Sequence, residues 1–187
     1  MRLRVARTAC KAARDAGVWL ISASLVVLAL GDAPLHPVEI SIQLLRAGIH
    51  LTRVMAIKRI TDPIRWNQLI VDTTEFWFTG GRYEHHLHDY IFANKVDAKF
   101  DDKADINGRS CYGDRLMPTI PIPKDVAVGD IFAMLDTGAY QEVSMSQFNA
   151  MPRPETILVK REAAGTIREA ETGELVGVRD RIPEYLR

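Results

Sequence analysis

The stretch at residues 47–59, AGIHLTRVMAIKR, constrains the fold more than any other part of the chain. Ile49, Leu51, Met55 and Ile57 fall on one face of an extended segment, the spacing of a half-buried β-strand. Such a strand needs partners, and candidates follow at short intervals. Residues 67–73 (NQLIVDT), 90–96, the IFAMLD run after 126–129, 156–160 and 175–179 all have strand character. Asp62-Pro63 and Gly80-Gly81 separate these runs, and Pro118, Pro121 and Pro123 exclude a helix where they stand. The charged stretch 162–173 reads as a solvated hairpin or short helix. Short strands punctuated by glycine and proline predict a mainly β chain, a barrel or sandwich, with no internal repeat.

Residues 1–31 have another texture. Arg2, Arg4, Arg7, Lys11 and Arg14 face one acid, Asp15, and an uncharged run from Val18 to Leu30 follows. The reading adopted is an amphipathic helix feeding a buried strand, a short α/β element ahead of the β-rich part. The alternative is an export signal, with Ala29-Leu30-Gly31 as the nearest cleavage site. The run is shorter than the ~20 residues a membrane-spanning helix needs. The expected organisation is residues 1–45 as an N-terminal segment and 46–187 as a β-domain.

Composition removes several function classes. Twenty-four basic residues balance 24 acidic ones among 187, so the basic excess of a nucleic-acid binder is missing. Two cysteines, Cys10 and Cys111, are too few for a disulfide scaffold and suit a reducing, cytoplasmic compartment.

Three places carry candidate chemistry. His86 and His88 of His85-His86-x-His88 would share a face in a strand, but no further ligand stands at a recognisable spacing, and surface or lightly buried histidines are the expectation. No metal site is expected. Cys111 lies in GRSCYGDRL, between glycines and beside Asp114, where a loop thiol can be exposed and reactive, although a lone cysteine is more commonly a small buried residue. The run GDIFAMLDTGAY ends a buried strand in a glycine turn and presents Tyr140 at its rim, where a packed aromatic competes with an anion contact.

Taken in order, GRSCYGDRL, PIPKDVAVGDIFAMLDTGAY and SMSQFNAMPRPETILV resemble the C-terminal β-domain of the fold-type III pyridoxal-phosphate decarboxylases, nearest the diaminopimelate decarboxylase branch. The matching positions are Cys111, Gly113-Asp114, Gly129-Asp130, Gly138-Ala139-Tyr140, Phe148-Asn149 and Arg153-Pro154. AGIHLTRVMAIKR and LIVDTTEFW resemble the strands that open the same domain, so the resemblance covers about residues 39–160.

The resemblance implies a Greek-key-like β-barrel or sandwich beside a (β/α)8 barrel that holds pyridoxal phosphate on a lysine, with active sites at a dimer interface. It implies that Cys111 is the catalytic thiol offered to an amino-acid substrate across that interface, and that Tyr140 contacts the cofactor phosphate. Glu39 stands where the family carries a carboxylate for the pyridine nitrogen, though the glycine and arginine of that segment are missing. Arg82 and Tyr83 match the substrate-binding Arg-Pro-x-x-Tyr only loosely, and Asp114, which matches the acid that closes the cysteine loop, is by the same resemblance a substrate-binding candidate. That loop reads Cys-Tyr-Gly-Asp where Cys-Glu-Ser-Gly-Asp is usual, so the family match leaves the substrate open. Lys58 matches a strand lysine of the family, not the Schiff-base residue. About 45 residues precede the domain, against the roughly 250 of a full (β/α)8 unit. The chain is therefore expected to be a truncated member of the family, inactive by itself, forming a homo-oligomer or a heterodimer with a full-length decarboxylase. The alternative is a non-catalytic paralogue that docks on such an enzyme. No nucleic-acid or membrane partner is expected.

Overall fold

The computed structural model describes residues 23–27, 48–78, 88–138, 141–160 and 163–187. Nine strands run among them: β1 (Ala23–Val27), β2 (Gly48–Ile60), β3 (Trp66–Val71), β4 (Tyr90–Phe92), β5 (Asp102–Asn107), β6 (Arg115–Ile122), β7 (Ile131–Leu135), β8 (Glu155–Lys160) and β9 (Ala163–Arg168). They form one curled sheet in the order β6-β5-β3-β2-β1-β8-β9, with β7 pairing β2 and β4 off that path. β3–β5 and β1–β8 are parallel and the other ladders antiparallel. The mainly β expectation holds. Ala23–Val27 lies in the segment read from sequence as separate from the β-domain, yet it pairs with β2 on one side and β8 on the other. No helix among the described residues is long and apolar enough to cross a membrane.

β2 organises the sheet because it changes partners along its length. Residues 49–53 pair with β7, and residues 54–60 pair with β3. The register with β3 shifts between Val54 and Ala56, a bulge that inserts one residue and bends the strand. This corrects the sequence expectation of one apolar face. Ile49 and Leu51 enter one core, Val54 and Ile57 enter the other, and Met55 is turned out to solvent at 54% exposure. A bulge slips the two-residue period, and every side chain beyond it changes face.

β7 is buried on both sides, as the apolar run IFAML implies. Phe132 and Met134 join Val54, Leu69, Val71, Phe78, Phe92, Ile106 and Ile122 in the larger core. Ala133 and Leu135 join Ile49, Leu51, Ile157 and Val159 in the smaller one. Sheet curvature thus encloses one core and leaves the second on its other face.

Two expected elements differ. Residues 175–179 are not a strand. Gly173–Val176 forms a single helical turn, α2, because the Thr172 hydroxyl accepts from the Leu175 amide and closes its N-terminus. Residues 90–96 give only the three-residue β4, after which the chain turns. Two of the prolines read as helix breakers, Pro118 and Pro121, sit on a strand, β6, at the end of the sheet path, and Pro123 follows it. Proline is tolerated at an edge because no ladder partner there requires its amide. The charged stretch 162–173, read as a hairpin or short helix, instead supplies the exposed strand β9, which pairs back on β8.

Candidate functional site

Three loops meet beside the end of β3: residues 72–78 after it, 108–114 between β5 and β6, and 145–150 after the short helix α1 (Gln141–Ser144). The Arg109 amide donates to the Thr73 carbonyl at 2.9 Å and the Ser146 amide to the Phe76 carbonyl at 2.9 Å, so the first loop anchors the other two. Asp114 fixes the cysteine loop from inside. Its carboxylate accepts from the Glu75 amide at 2.6 Å and from the Ser110 amide at 3.0 Å. Its carbonyl accepts from the Gly108 amide at 2.6 Å. Gly108 is needed at this approach, since a Cβ there would lie 2.5 Å from Asp114 Cγ and 2.7 Å from the Thr73 carbonyl.

Cys111 is exposed at the tip of this braced loop. Asn149 Nδ2 donates to its Sγ at 3.3 Å and to Ser110 Oγ at 2.9 Å. Asn149 and Ala150 both have positive φ, 60° and 56°, and that local turn belongs to the segment that brings the amide to the thiol. Tyr112, next to the cysteine, packs edge-on against Phe76 and Phe148, whose rings stack with centroids 4.0 Å apart. Arg109 lies over the Trp77 ring, 5.0 Å from its centroid. A thiol, a side-chain amide and three aromatic rings therefore cluster together, with a guanidinium on the same loop.

The sequence-predicted residues fare differently. Cys111 stands on an exposed loop. Asp114, expected to reach substrate, is 2% exposed with both carboxylate oxygens on backbone amides, and its visible work is to hold the loop. Tyr140, Glu39, Arg82 and Tyr83 lie outside the described residues, as do His85 and His86. Of that histidine cluster His88 is described; it is buried, its Nδ1–H donates to the Leu135 carbonyl at 2.8 Å, and its ring packs on Phe78. No group of three metal-binding side chains occurs among the described residues. Arg109 and Phe76 were not singled out from sequence, and Phe148-Asn149 stood only as a motif without a role. Nothing local in the sequence marks these residues, because loops distant in the chain bring them together.

Two substitutions test the frame of this surface. Asp114→Ala removes the acceptor from two amides at a buried position, and stability is expected to fall by about 2 kcal/mol. Hydrogen exchange at Glu75 and Ser110 should accelerate selectively, and unchanged exchange there would refute the bracing role. His50, fully buried on β2, shares a hydrogen bond with Thr73 Oγ1 at 2.7 Å, just ahead of the loop. Burial, then the neighbouring His88, lowers its pKa from 6.5 to about 3. The folded chain thus keeps His50 neutral while the unfolded chain protonates below 6.5, so stability is lost as pH falls from there toward 3. Between pH 7 and pH 5 the loss is about 2 kcal/mol. His50→Gln should flatten this part of a urea-midpoint versus pH curve; an equally steep curve would assign the slope to other groups.

Pyridoxal phosphate finds no complete cradle among the described residues. The surface hollow lined by Ala98, Lys99, Asp101, Lys124 and Asp125 mixes two cations with two acids and has no aromatic wall for a pyridine ring. At the Cys111 surface the described residues offer a braced thiol on an open face.

No family model matches the chain. The diaminopimelate decarboxylase of Archaeoglobus fulgidus is 40% identical over 101 residues, 53% of this chain and 24% of that protein. The corresponding enzyme of Actinosynnema pretiosum subsp. auranticum is 33% identical over 135 residues, 69% of this chain and 29% of that one. The crystal structure of the M. jannaschii diaminopimelate decarboxylase in complex with L-lysine superposes with a TM-score of 0.64 at 28% identity, covering 76% of this chain and 32% of that one. The chain thus spans roughly a quarter to a third of the length of the relatives it matches. Its sequence and its sheet lead to the same place: the chain is a homologue of the diaminopimelate decarboxylases, within the fold-type III pyridoxal-phosphate decarboxylases, and corresponds to their β-domain.

Proposed function

We propose that this chain supplies the thiol-bearing face of a pyridoxal-phosphate-dependent amino-acid decarboxylase of the diaminopimelate type. The observation that carries this reading is the Cys111 loop. Its thiol is exposed, braced by Asp114 and contacted by Asn149, on a β-domain homologous to those of the decarboxylases. In this reading the cofactor and its lysine belong to a (β/α)8 barrel, and the active site forms where the β-domain meets a barrel of a second subunit. Cys111 holds a proton at Sγ beside the substrate carbon that loses CO2, Asn149 keeps the sulfur in place, and the aromatic rings exclude water. A positioned general acid contributes roughly 10²–10⁴-fold.

The experiment mixes this chain with a full-length diaminopimelate decarboxylase whose own loop cysteine has been replaced by alanine, and follows CO2 release. The chain alone, with pyridoxal phosphate and diaminopimelate, is expected to release none. Added to the cysteine-less enzyme, it should restore turnover, and Cys111→Ala should lower the restored rate by roughly a hundredfold. Turnover by the isolated chain would overturn the partnership. Restoration that is indifferent to Cys111→Ala would overturn the role of the thiol.

A further inference from the structure

We infer that Glu171 is a positioning residue for the Cys111 thiol: through Gln147 and Arg153 it closes the turn that presents Asn149 Nδ2 to Sγ. The inference deepens the decarboxylase reading and rests on it only for what the thiol does; the coupling stands on the geometry.

Glu171 follows β9, and its side chain is 14% exposed. Its carboxylate collects hydrogen bonds from both ends of one segment. Gln147 Nε2 donates to Oε2 at 2.8 Å, and the Arg153 amide donates to the same oxygen at 2.9 Å. Arg153 Nε donates to Oε1 at 2.8 Å, and Arg153 Nη2 donates to it as well. The Glu171 amide in turn donates to the Arg153 carbonyl at 2.9 Å. One half-buried acid thus spans the neck of the loop 147–153, and Phe148, Asn149 and Ala150 form its tip. Arg168 on β9 also forms an ion pair with Glu142 of α1, so the chain after β8 grips the same region at a second point.

The tip does not hold its own shape. Asn149 and Ala150 stand side by side in the left-handed region, which residues other than glycine seldom occupy without outside support. The bond across the turn, from the Met151 amide to the Phe148 carbonyl, is long at 3.4 Å. Asn149 spends its own side-chain amide outward, on Ser110 and Cys111. The direction of that amide is therefore set at the neck. It matters to the sulfur because a donor at Sγ favours thiolate over thiol, and thiolate is the reactive form. The same bond makes the thiol a readier proton donor. Releasing the neck lets Asn149 turn away, and Sγ loses its donor although no atom beside it has changed. Hydrogen bonds from Arg153 chiefly, against burial, bring the Glu171 carboxyl down from 4.5 to about 2, so the clamp stays charged wherever thiol chemistry is measured.

Alkylation by uncharged iodoacetamide reads the donor without cofactor or partner. The full chain carrying Cys10→Ser has one thiol. Its rate is measured at about pH 7 and at about pH 9.5, where an ordinary thiol is mostly ionised. The ratio of the two rates cancels changes in access. Glu171→Ala should lower that ratio roughly threefold, and Asn149→Ala should lower it equally. The double variant should fall no further, because both changes remove one donor. Gln147→Ala cuts a single tie at an exposed position, so it should lower the ratio by less and decides the matter if Glu171→Ala does not fold. Thr172→Ala, which uncaps α2 next door, should leave the ratio unchanged. An unchanged ratio in Glu171→Ala or Gln147→Ala, additive losses in the double variant, or an equal fall in Thr172→Ala would overturn the inference. If the ratio falls as expected and the chain still fails to restore turnover in the mixing experiment, the decarboxylase reading fails and the positioning role stands. If Glu171→Ala restores turnover as well as the parent does, the positioning role fails and the decarboxylase reading stands.

Discussion

Gly48→Ala is expected to lower the stability of the domain by about 3 kcal/mol, although it adds a single methyl group. Gly48 opens β2, and its carbonyl accepts from the Thr137 amide at 3.0 Å where the chain leaves β7. A Cβ at this position would fall on the backbone of Thr137 and Gly138, 2.5 Å from the Gly138 Cα. No flexible side chain can yield there. The clash can be relieved only by parting β2 from β7, the two strands that carry residues of both cores. In a domain whose whole stability is of the order of 5–15 kcal/mol, that is a large fraction. A urea midpoint within 0.5 kcal/mol of the parent would show that the two backbones are farther apart than described.

Asp105→Ala is expected to cost a similar amount, about 3 kcal/mol, for a different reason. Asp105 is 0% exposed on β5. Arg115 and the Thr119 amide donate to its carboxylate at 2.9 and 2.7 Å, and Trp66 Nε1 donates at 3.0 Å. Burial pushes the carboxyl up, but the hydrogen bonds from Arg115, Thr119 and Trp66 and the charge of Arg115 outweigh it, and the pKa stays below the ordinary value. Thr119 has φ of 49°, and the β5–β6 register shifts between Ala104 and Ile106, so the acid holds an irregular segment of the edge strand in place. Removing it strands the Thr119 amide and frees the register. Asp105→Asn, which keeps one acceptor oxygen, should cost less. Equal losses for the two variants would mean that charge, not the count of acceptors, is what matters at this site.

Much of the sheet was legible because its strands repeat every two residues. IFAML is apolar, residues 69–71 and 156–159 are rich in apolar and β-branched side chains, and each run lies in a strand. What escaped did so for identifiable reasons. The bulge at Val54–Ala56 has no sequence mark, so Met55 was placed in the core when it is outside. The β5 run DKADIN looks polar, because Asp105 is buried by partners that arrive from β3 and β6. Thr172 as a helix cap outweighed the strand pattern at 175–179. In the site, Cys111 could be found from its glycine-flanked loop, whereas Arg109, Phe76 and Asn149 depend on three loops meeting. Asp114 was found as a motif position, but its burial shows a bracing carboxylate where the motif alone suggested a contact.

The place of β1 between β2 and β8 has a kinetic consequence. Ala23 pairs with Glu155, about 130 residues further along the chain, and the β8–β9 hairpin reaches the rest of the sheet along the described path only through that ladder. Closing so long a loop is entropically costly, and non-local pairing slows folding. The hairpin and the β2–β3 ladder are close in sequence and free to form early, while the β1–β8 seam waits for both of its flanks. Refolding should therefore show the larger core acquiring protection from exchange before the amides of 155–159, and a synthetic peptide spanning residues 20–30, supplied in trans, should compete for that seam during the interval.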